Sequence, residues 1–250
     1  MIAASCKKAD LKTPAAAVRL SYGDSIIYLK NQSSDYTITP VTTKAGIYTA
    51  FPEGIIIDAH SGAINVSKSE TGLRYRIDYT SPTGDTSSTI ILLSGINYPD
   101  KYYNISKGDS IVFPIYNGTP LRSLPANGNV FDESNIATSA GCAINTSNGQ
   151  INLAQTLRNG FFKNLPLGET RVDVDVKYRL NDQSDKALNG IRVRLYYYHT
   201  MNDVPQELKQ TLLDRDGMFL RMNSSSAIEE ASRYAKGARP RPPCVIVIAQ

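Results

Sequence analysis

The 250-residue chain has no tryptophan, two histidines and three cysteines, and its charges nearly cancel, with 27 Lys and Arg against 23 Asp and Glu. Each shortage closes off a class of function. His60 and His199 have no second metal ligand at a recognisable spacing, and no zinc-protease, nucleophile-elbow or phosphate-loop pattern occurs. No metal or cofactor is therefore expected. The net charge of +4 is spread thinly, with no basic stripe to follow a phosphate backbone, so nucleic acid is not an expected partner. No apolar run approaches the roughly 20 residues of a membrane-spanning helix. The longest, CVIVIA at 244–249, is the size of a strand. An acid and base pair could be assembled only by the fold, because the carboxylates form no telling spacing. A pocket joining His60 or His199 to carboxylates would argue for catalysis; the residues alone name no catalytic group.

What is present is a β pattern. Apolar residues make up 41% of the chain and charged ones 20%, enough to bury real cores, and the length suits two domains of ordinary size. The alternating runs SIIYL (25–29), RYRIDY (74–79), TIILL (89–93), SIVFPIY (110–116), RVDVDVKY (171–178) and IRVRLYYY (191–198) are separated by turn residues at short intervals. In RVDVDVKY the period of two puts Val172, Val174 and Val176 on one face and charges on the other, as in a strand with one buried side. Helical spacing is confined to VPQELKQTLLDR (204–215) and SAIEEASRYAK (226–236). The expectation is an all-β fold.

Internal repetition divides it. SYGDSIIY (21–28) matches SKGDSIVF (106–113), and IDAHSGAINVS (57–67) matches INTSNGQINLA (144–154). The strand, turn and strand of 71–93 parallel those of 168–198. Three landmarks in one order give two homologous β-sandwich domains, 15–97 and 98–200. They lie between an N-terminal tether at 1–14 and a small α/β appendage at 201–250.

The segment FPEGIIIDAHSGAINVS resembles the Leu-Pro-x-Gly-Leu-x-Ile-Asp-x-x-Thr-Gly-x-Ile stretch of bacterial Ig-like domains and of cadherin-like repeats. Pro52, Gly54, Ile57, Asp58, Ser61, Gly62 and Ile64 stand on the matching positions. The second copy keeps Ile144, Gly149 and Ile151 but has Asn145 for the Asp and lacks the Pro-x-Gly. The resemblance implies two tandem Ig-like or cadherin-like sandwiches, in which the motif is a β-hairpin with its Gly at positive φ and its Asp or Asn closing an Asx turn. Cadherin-like repeats hold calcium at their junctions, a hard cation that needs about 6–8 oxygens. Here the hairpin is followed by SKSETG, and the junction GINYPDKYYN brings one Asp. Calcium is not expected, and NDQSD (181–185) is read as a solvated turn.

The first residues point to a membrane. In MIAASCKKAD, Ala3-Ala4-Ser5-Cys6 followed by two lysines resembles a bacterial lipobox, and the Ser-Cys-Lys-Lys start resembles Bacteroidetes-type surface lipoproteins. The resemblance implies lipidation of Cys6, since the thiol accepts the lipid after cleavage on its N-terminal side, and several acyl chains hold a protein on a bilayer where one does not. A signal peptide needs an apolar region of about 7–15 residues, so further upstream sequence is expected. The protein would then be extracytoplasmic, lipid-anchored to the outer membrane or cell surface. Asp24-Ser25-Ile26 and Asp109-Ser110-Ile111 resemble the triplet O-glycosylated in such proteins, which makes Ser25 and Ser110 candidate acceptors; the favoured reading is that Gly-Asp-Ser is simply the turn that opens a strand.

Cys142 and Cys244 could form a disulfide in an oxidising compartment, or Cys142 could be a buried thiol in a strand. Fifteen tyrosines, as in YYNIS and LYYYH, could stack on sugars, although Tyr is also a favoured strand residue. CVIVIA is apolar on both faces and must lie between layers or pair with an edge. The function expected is a non-catalytic envelope module, structural or protein-binding, with other envelope proteins as partners. The second reading is a glycan-binding lipoprotein of a polysaccharide uptake system.

Overall fold

The computed structural model describes residues 19–163, 165, 168–215 and 239–250. Cys6, the rest of the 1–14 tether and the helical stretch at 226–236 lie outside them. The fold is all-β.

The N-terminal half contains β1 (Ile26–Ile27), β2 (Thr37–Ile38), β3 (Ile47–Phe51), β4 (Ile56–Ile57), β5 (Ile64–Asn65), β6 (Leu73–Thr80) and β7 (Thr86–Leu93). They form a four-stranded sheet ordered β1-β7-β6-β3 and a three-stranded sheet ordered β2-β5-β4. Strand β6 alternates: Leu73, Tyr75, Ile77 and Tyr79 are buried, while Arg74, Arg76 and Asp78 are turned outward. The buried side chains meet Ile64 of the smaller sheet and Val66 just beyond it, together with Tyr22, Ile27 and Tyr48, in one core.

The C-terminal half contains β8 (Ile96–Asn97), β9 (Lys101–Asn104), β10 (Ile111–Val112), β11 (Ile115–Tyr116), β12 (Val130–Phe131), α1 (Ile136–Ser139), β13 (Ile151–Asn152), α2 (Leu153–Arg158), β14 (Arg171–Arg179), β15 (Asn189–Tyr198), α3 (Gln206–Arg215) and β16 (Cys244–Ile248). Its main sheet is ordered β12-β14-β15-β16-β9, with the short pairs β10-β13 and β8-β11 elsewhere. Val174, Val176, Val193, Leu195, Val245 and Val247 face Phe131, Ile151 and Leu153 in a second core. Val172 is half-buried against the same core. The outward face of β14 and β15 carries a ladder of ion pairs, Asp173 with Arg194 at 2.9 Å and Asp175 with Arg192 at 2.8 Å, set by the register that places each pair opposite.

The terminal strand resolves its two-faced apolarity by entering the sheet. Strand β16 lies between β15 and β9, parallel to both, and all five of its residues are buried. Val245 and Val247 enter the second core, and Cys244, Ile246 and Ile248 point the other way, under α3, where Leu212 and Val204 cover them with Tyr198. Burying a Val or Ile stabilises by about 1.5–3 kcal/mol, and residues 244–248 thereby join β15 to β9 in the five-stranded sheet. Helix α3 is fastened by Arg215, whose Nη1 lies 3.2 Å from the Asp100 carboxylate, and Asp100 also accepts from the Cys244 amide at 2.6 Å. Burial pushes the Asp100 carboxyl above the usual carboxylate range, with Arg215 pulling it back.

The same sheet separates the remaining cysteines. Cys142 lies in the core with Val245 and Val247, whereas Cys244 sits on the opposite face of β16 among the residues under α3. Both are free, buried thiols, and the disulfide considered from sequence is not formed because the sheet stands between them.

Candidate functional site

The repeated motif forms the same structure twice. In the first copy the Asp58 amide donates to Ala63 O and the Gly62 amide to Asp58 O; in the second, Asn145 N donates to Gln150 O and Gly149 N to Asn145 O. Asp58 Oδ1 accepts from the amides of His60 and Ser61, and Asn145 Oδ1 from those of Ser147 and Asn148. The parallel runs on: Lys68 N donates to Asn65 Oδ1 and Gln155 N to Asn152 Oδ1, while Ser69 and Thr156 hydroxyls bond the Asn65 and Asn152 carbonyls. Gly62 has φ 71° and Gly149 φ 70°. A tyrosine hydroxyl caps each glycine carbonyl at 2.7 Å, Tyr22 on Gly62 and Tyr98 on Gly149. The amide bonds hold the Asp58 carboxyl below its usual range, so its charge is spent on the turn, and His60 stands exposed at the tip. The motif is architecture.

A dense polar arrangement lies where the two halves meet. Gly72 and Gly95 bring the backbones of β6 and the β7–β8 link close; a Cβ on Gly72 would fall 2.4 Å from Ile96 O, and one on Gly95 2.5 Å from the Thr71 hydroxyl. Into this contact come Tyr178, whose hydroxyl lies 3.2 Å from Thr71 Oγ1 and accepts from the Ile96 amide, and Asn189, whose Nδ2 donates to Thr71 Oγ1 at 2.9 Å. Ser94 and Tyr116 donate to Asp182 at 3.2 and 2.9 Å, which gives the NDQSD turn a structural partner. Arg74 reaches across to Gly118 O at 2.7 Å.

Arg241 completes the junction. Its side chain is only 8% exposed, and its Nη2 donates both to Thr71 O and to Ile96 O, the latter at 2.7 Å. Its Nε faces Glu70 Oε2 across 4.0 Å, and neither atom has a hydrogen-bond partner among the described residues. Burial raises the Glu70 carboxyl above its ordinary range more than Arg241 lowers it. Beside this pair a cleft of about 510 Å³ opens, lined by Glu70, Asn189, Lys177, Arg192 and Arg241. At its edge the Arg192 guanidinium is held by Asp175, and Arg241 Nη2 by the two backbone carbonyls. Sequence reasoning passed over Arg241; the one signal was its place between Pro240 and Pro242-Pro243, which fixes an extended approach to β16.

The other predicted residues are dispersed. Ser25 is exposed just before β1 and Ser110 half-buried just before β10; their carbonyls accept from Leu92 N and Leu153 N, each at 2.8 Å. The tyrosine run of β15 divides by parity: Tyr196 and Tyr198 lie under α3, and Tyr197 on the other face. His199 shares a shallow groove of about 460 Å³ with Glu169, Asp203, Phe162 and Tyr197. Asp203 there caps the turn after β15, accepting from Thr200 N and Oγ1 at 2.8 and 2.9 Å, which keeps its carboxyl below the usual range and ionised. Among the described residues no group of three or more His, Cys, Asp and Glu could hold a metal ion, and no helix is long and apolar enough to cross a membrane.

No family model matches the chain, and no curated protein matches it. Among solved structures, the crystal structure of Drosophila N-cadherin EC1-4 aligns at 10% identity with a TM-score of 0.22, over 71% of this chain and 48% of that one. The chain thus spans about half the length of the structure it matches.

Proposed function

We infer that this is a non-catalytic structural or protein-binding module of the bacterial cell envelope, with 15–97 and 98–200 as its sandwiches, held outside the cytoplasm by lipid on Cys6. The junction carries the reading: Arg241, Tyr178, Asn189 and Asp182 join the two halves through buried and part-buried hydrogen bonds to Thr71 and Ser94. Asp58 and Asp203 are spent on turns, and Asp173 and Asp175 on the strand ladder. A rigid tandem holds surfaces at a fixed separation, which suits a spacer or scaffold between partners. The small-residue run ahead of Cys6 and the basic pair after it support the anchor.

The test is affinity purification from the native envelope, with the upstream sequence present and after mild cross-linking. A stoichiometric envelope partner, together with a lipidated N-terminal peptide by mass spectrometry, is the expected result. A chain that stays unlipidated in the soluble fraction overturns the anchor. Turnover of a glycan or peptide substrate by the purified protein overturns the non-catalytic reading.

A further inference from the structure

One groove is not consumed by the fold, and it is independent of the junction. Tyr197 is the member of the β15 tyrosine run that turns away from α3, and it remains half-buried at the rim of the second core. Its ring stacks on Phe162, with centroids 5.4 Å apart and 25° between planes, and meets the His199 ring at 5.5 Å and 64°. The three rings therefore pack as one aromatic cluster at the groove. The strand is pinned from below, because Tyr197 N donates to Thr170 O at 2.8 Å and the Thr170 hydroxyl donates to Tyr198 OH at 3.1 Å. Along the rim stand Glu169, which has no hydrogen bond or ion pair among the described residues, and the ionised Asp203. The volume of about 460 Å³ is within the range of small-molecule sites.

We propose that this groove binds a neutral pyranose, the Tyr197–Phe162 stack meeting the apolar face of the sugar with the surface it leaves open to the groove, while Glu169 accepts and His199 exchanges hydrogen bonds with its hydroxyls. Aromatic faces offer a broad apolar platform with little rotamer freedom to lose. A ligand with hydroxyls round an apolar ring satisfies both the aromatic cluster and the rim, whereas a purely apolar ligand would cover the Glu169 carboxylate without giving it a partner. The charge of Asp203 and Glu169 selects against uronic and sialic acids, since like charges at short range are costly.

The test is ligand-observed NMR and calorimetry on the full chain, with neutral hexose, pentose and N-acetylhexosamine oligosaccharides, a uronate oligosaccharide, and a choline probe. Binding of one or more neutral sugars and none of the uronate is expected, with Tyr197→Ala weakening it by about tenfold or more. Because Tyr197 also touches the core, Glu169→Gln is the second variant; it sits on the exposed rim, leaves the fold intact and is expected to weaken binding by a few-fold. No binding of any neutral sugar overturns the proposal. So does binding that neither variant changes, or choline binding in place of sugar, which would make the groove a cation site.

Discussion

Replacing Arg241 by Met tests the joint between the two halves. The wild-type guanidinium donates from one nitrogen to two backbone carbonyls, Thr71 O and Ile96 O, in a site that leaves its side chain 8% exposed. A hydrogen bond to a charged group contributes about 1.5–3 kcal/mol, and a carbonyl left buried without its donor costs a similar amount. Burying the guanidinium is itself unfavourable by several kcal/mol, a cost that methionine avoids. The balance is a loss of about 2–4 kcal/mol in the unfolding free energy. The loss should also depend on pH. Glu70 already sits above its ordinary range because burial outweighs the pull of Arg241, and without that cation its carboxyl moves higher. Below the ordinary carboxylate pKa, Glu70 is protonated in both states and the variant loses only the two donated bonds. At pH 8 it must carry a charge with its nearest cation gone, so the loss is larger there. Urea unfolding followed by tyrosine fluorescence at pH 3.5 and pH 8 measures both values, and a distance between spin labels on β6 and β14 reports the joint itself, with a broadened distribution expected. A change below about 0.5 kcal/mol at both pH values, the range of an ordinary surface substitution, would refute the clamp.

Glu70→Gln works in the opposite sense. A carboxyl whose pKa is raised on folding contributes stability below its ordinary value of 4.5 and loses it as pH rises through the folded value, so the variant should be more stable than wild type at pH 7–8 and equal to it at pH 4; unfolding midpoints across that range decide it. Ile246→Ala, in a fully buried position of β16, should cost about 2–5 kcal/mol, while the neighbouring Leu213→Ala on the exposed side of α3 should fall within about 0.5 kcal/mol of wild type by the same denaturation assay. Gly149→Ala demands a side chain at φ 70° with its Cβ 2.5 Å from the Phe131 ring and should cost about 2–4 kcal/mol in thermal or chemical unfolding. Burial pushes the Cys142 thiol up to about 12 and the Cys244 thiol up to about 11, so at pH 8 neither should react with a thiol reagent until denaturant is added; rapid labelling of the native protein would contradict the packing found around them.

Period and turn chemistry made the strands and hairpins legible. Leu73 to Thr80 and Arg171 to Arg179 announce one buried face each by alternation, and the Gly that ends each hairpin is demanded by a backbone angle that other residues adopt poorly. The paired motifs could even be compared with one another, and what they shared, Ile, Gly and the following Ile-Asn, was what the Asx turn and its capped carbonyl require. None of this local logic reaches across the sheet. The slot beside β7 in the first half is taken by the opening strand β1, whose Ile26 and Ile27 run parallel to Leu92 and Leu93. The matching residues of the second half, Ile111 and Val112, pair with β13, and the slot beside β15 goes to residues 244–248 from the chain's far end.

That exchange explains why Arg241 escaped notice. An arginine between prolines has no pattern of its own, and it acquires a role only because β16 must enter between β15 and β9, which carries the preceding residues directly over Thr71 and Ile96. The strand's apolar faces required an interior place, as its sequence implied. The choice of place then delivered a buried cation to the contact between the two halves at Thr71, and the Arg241 clamp is in this sense a consequence of the strand's insertion.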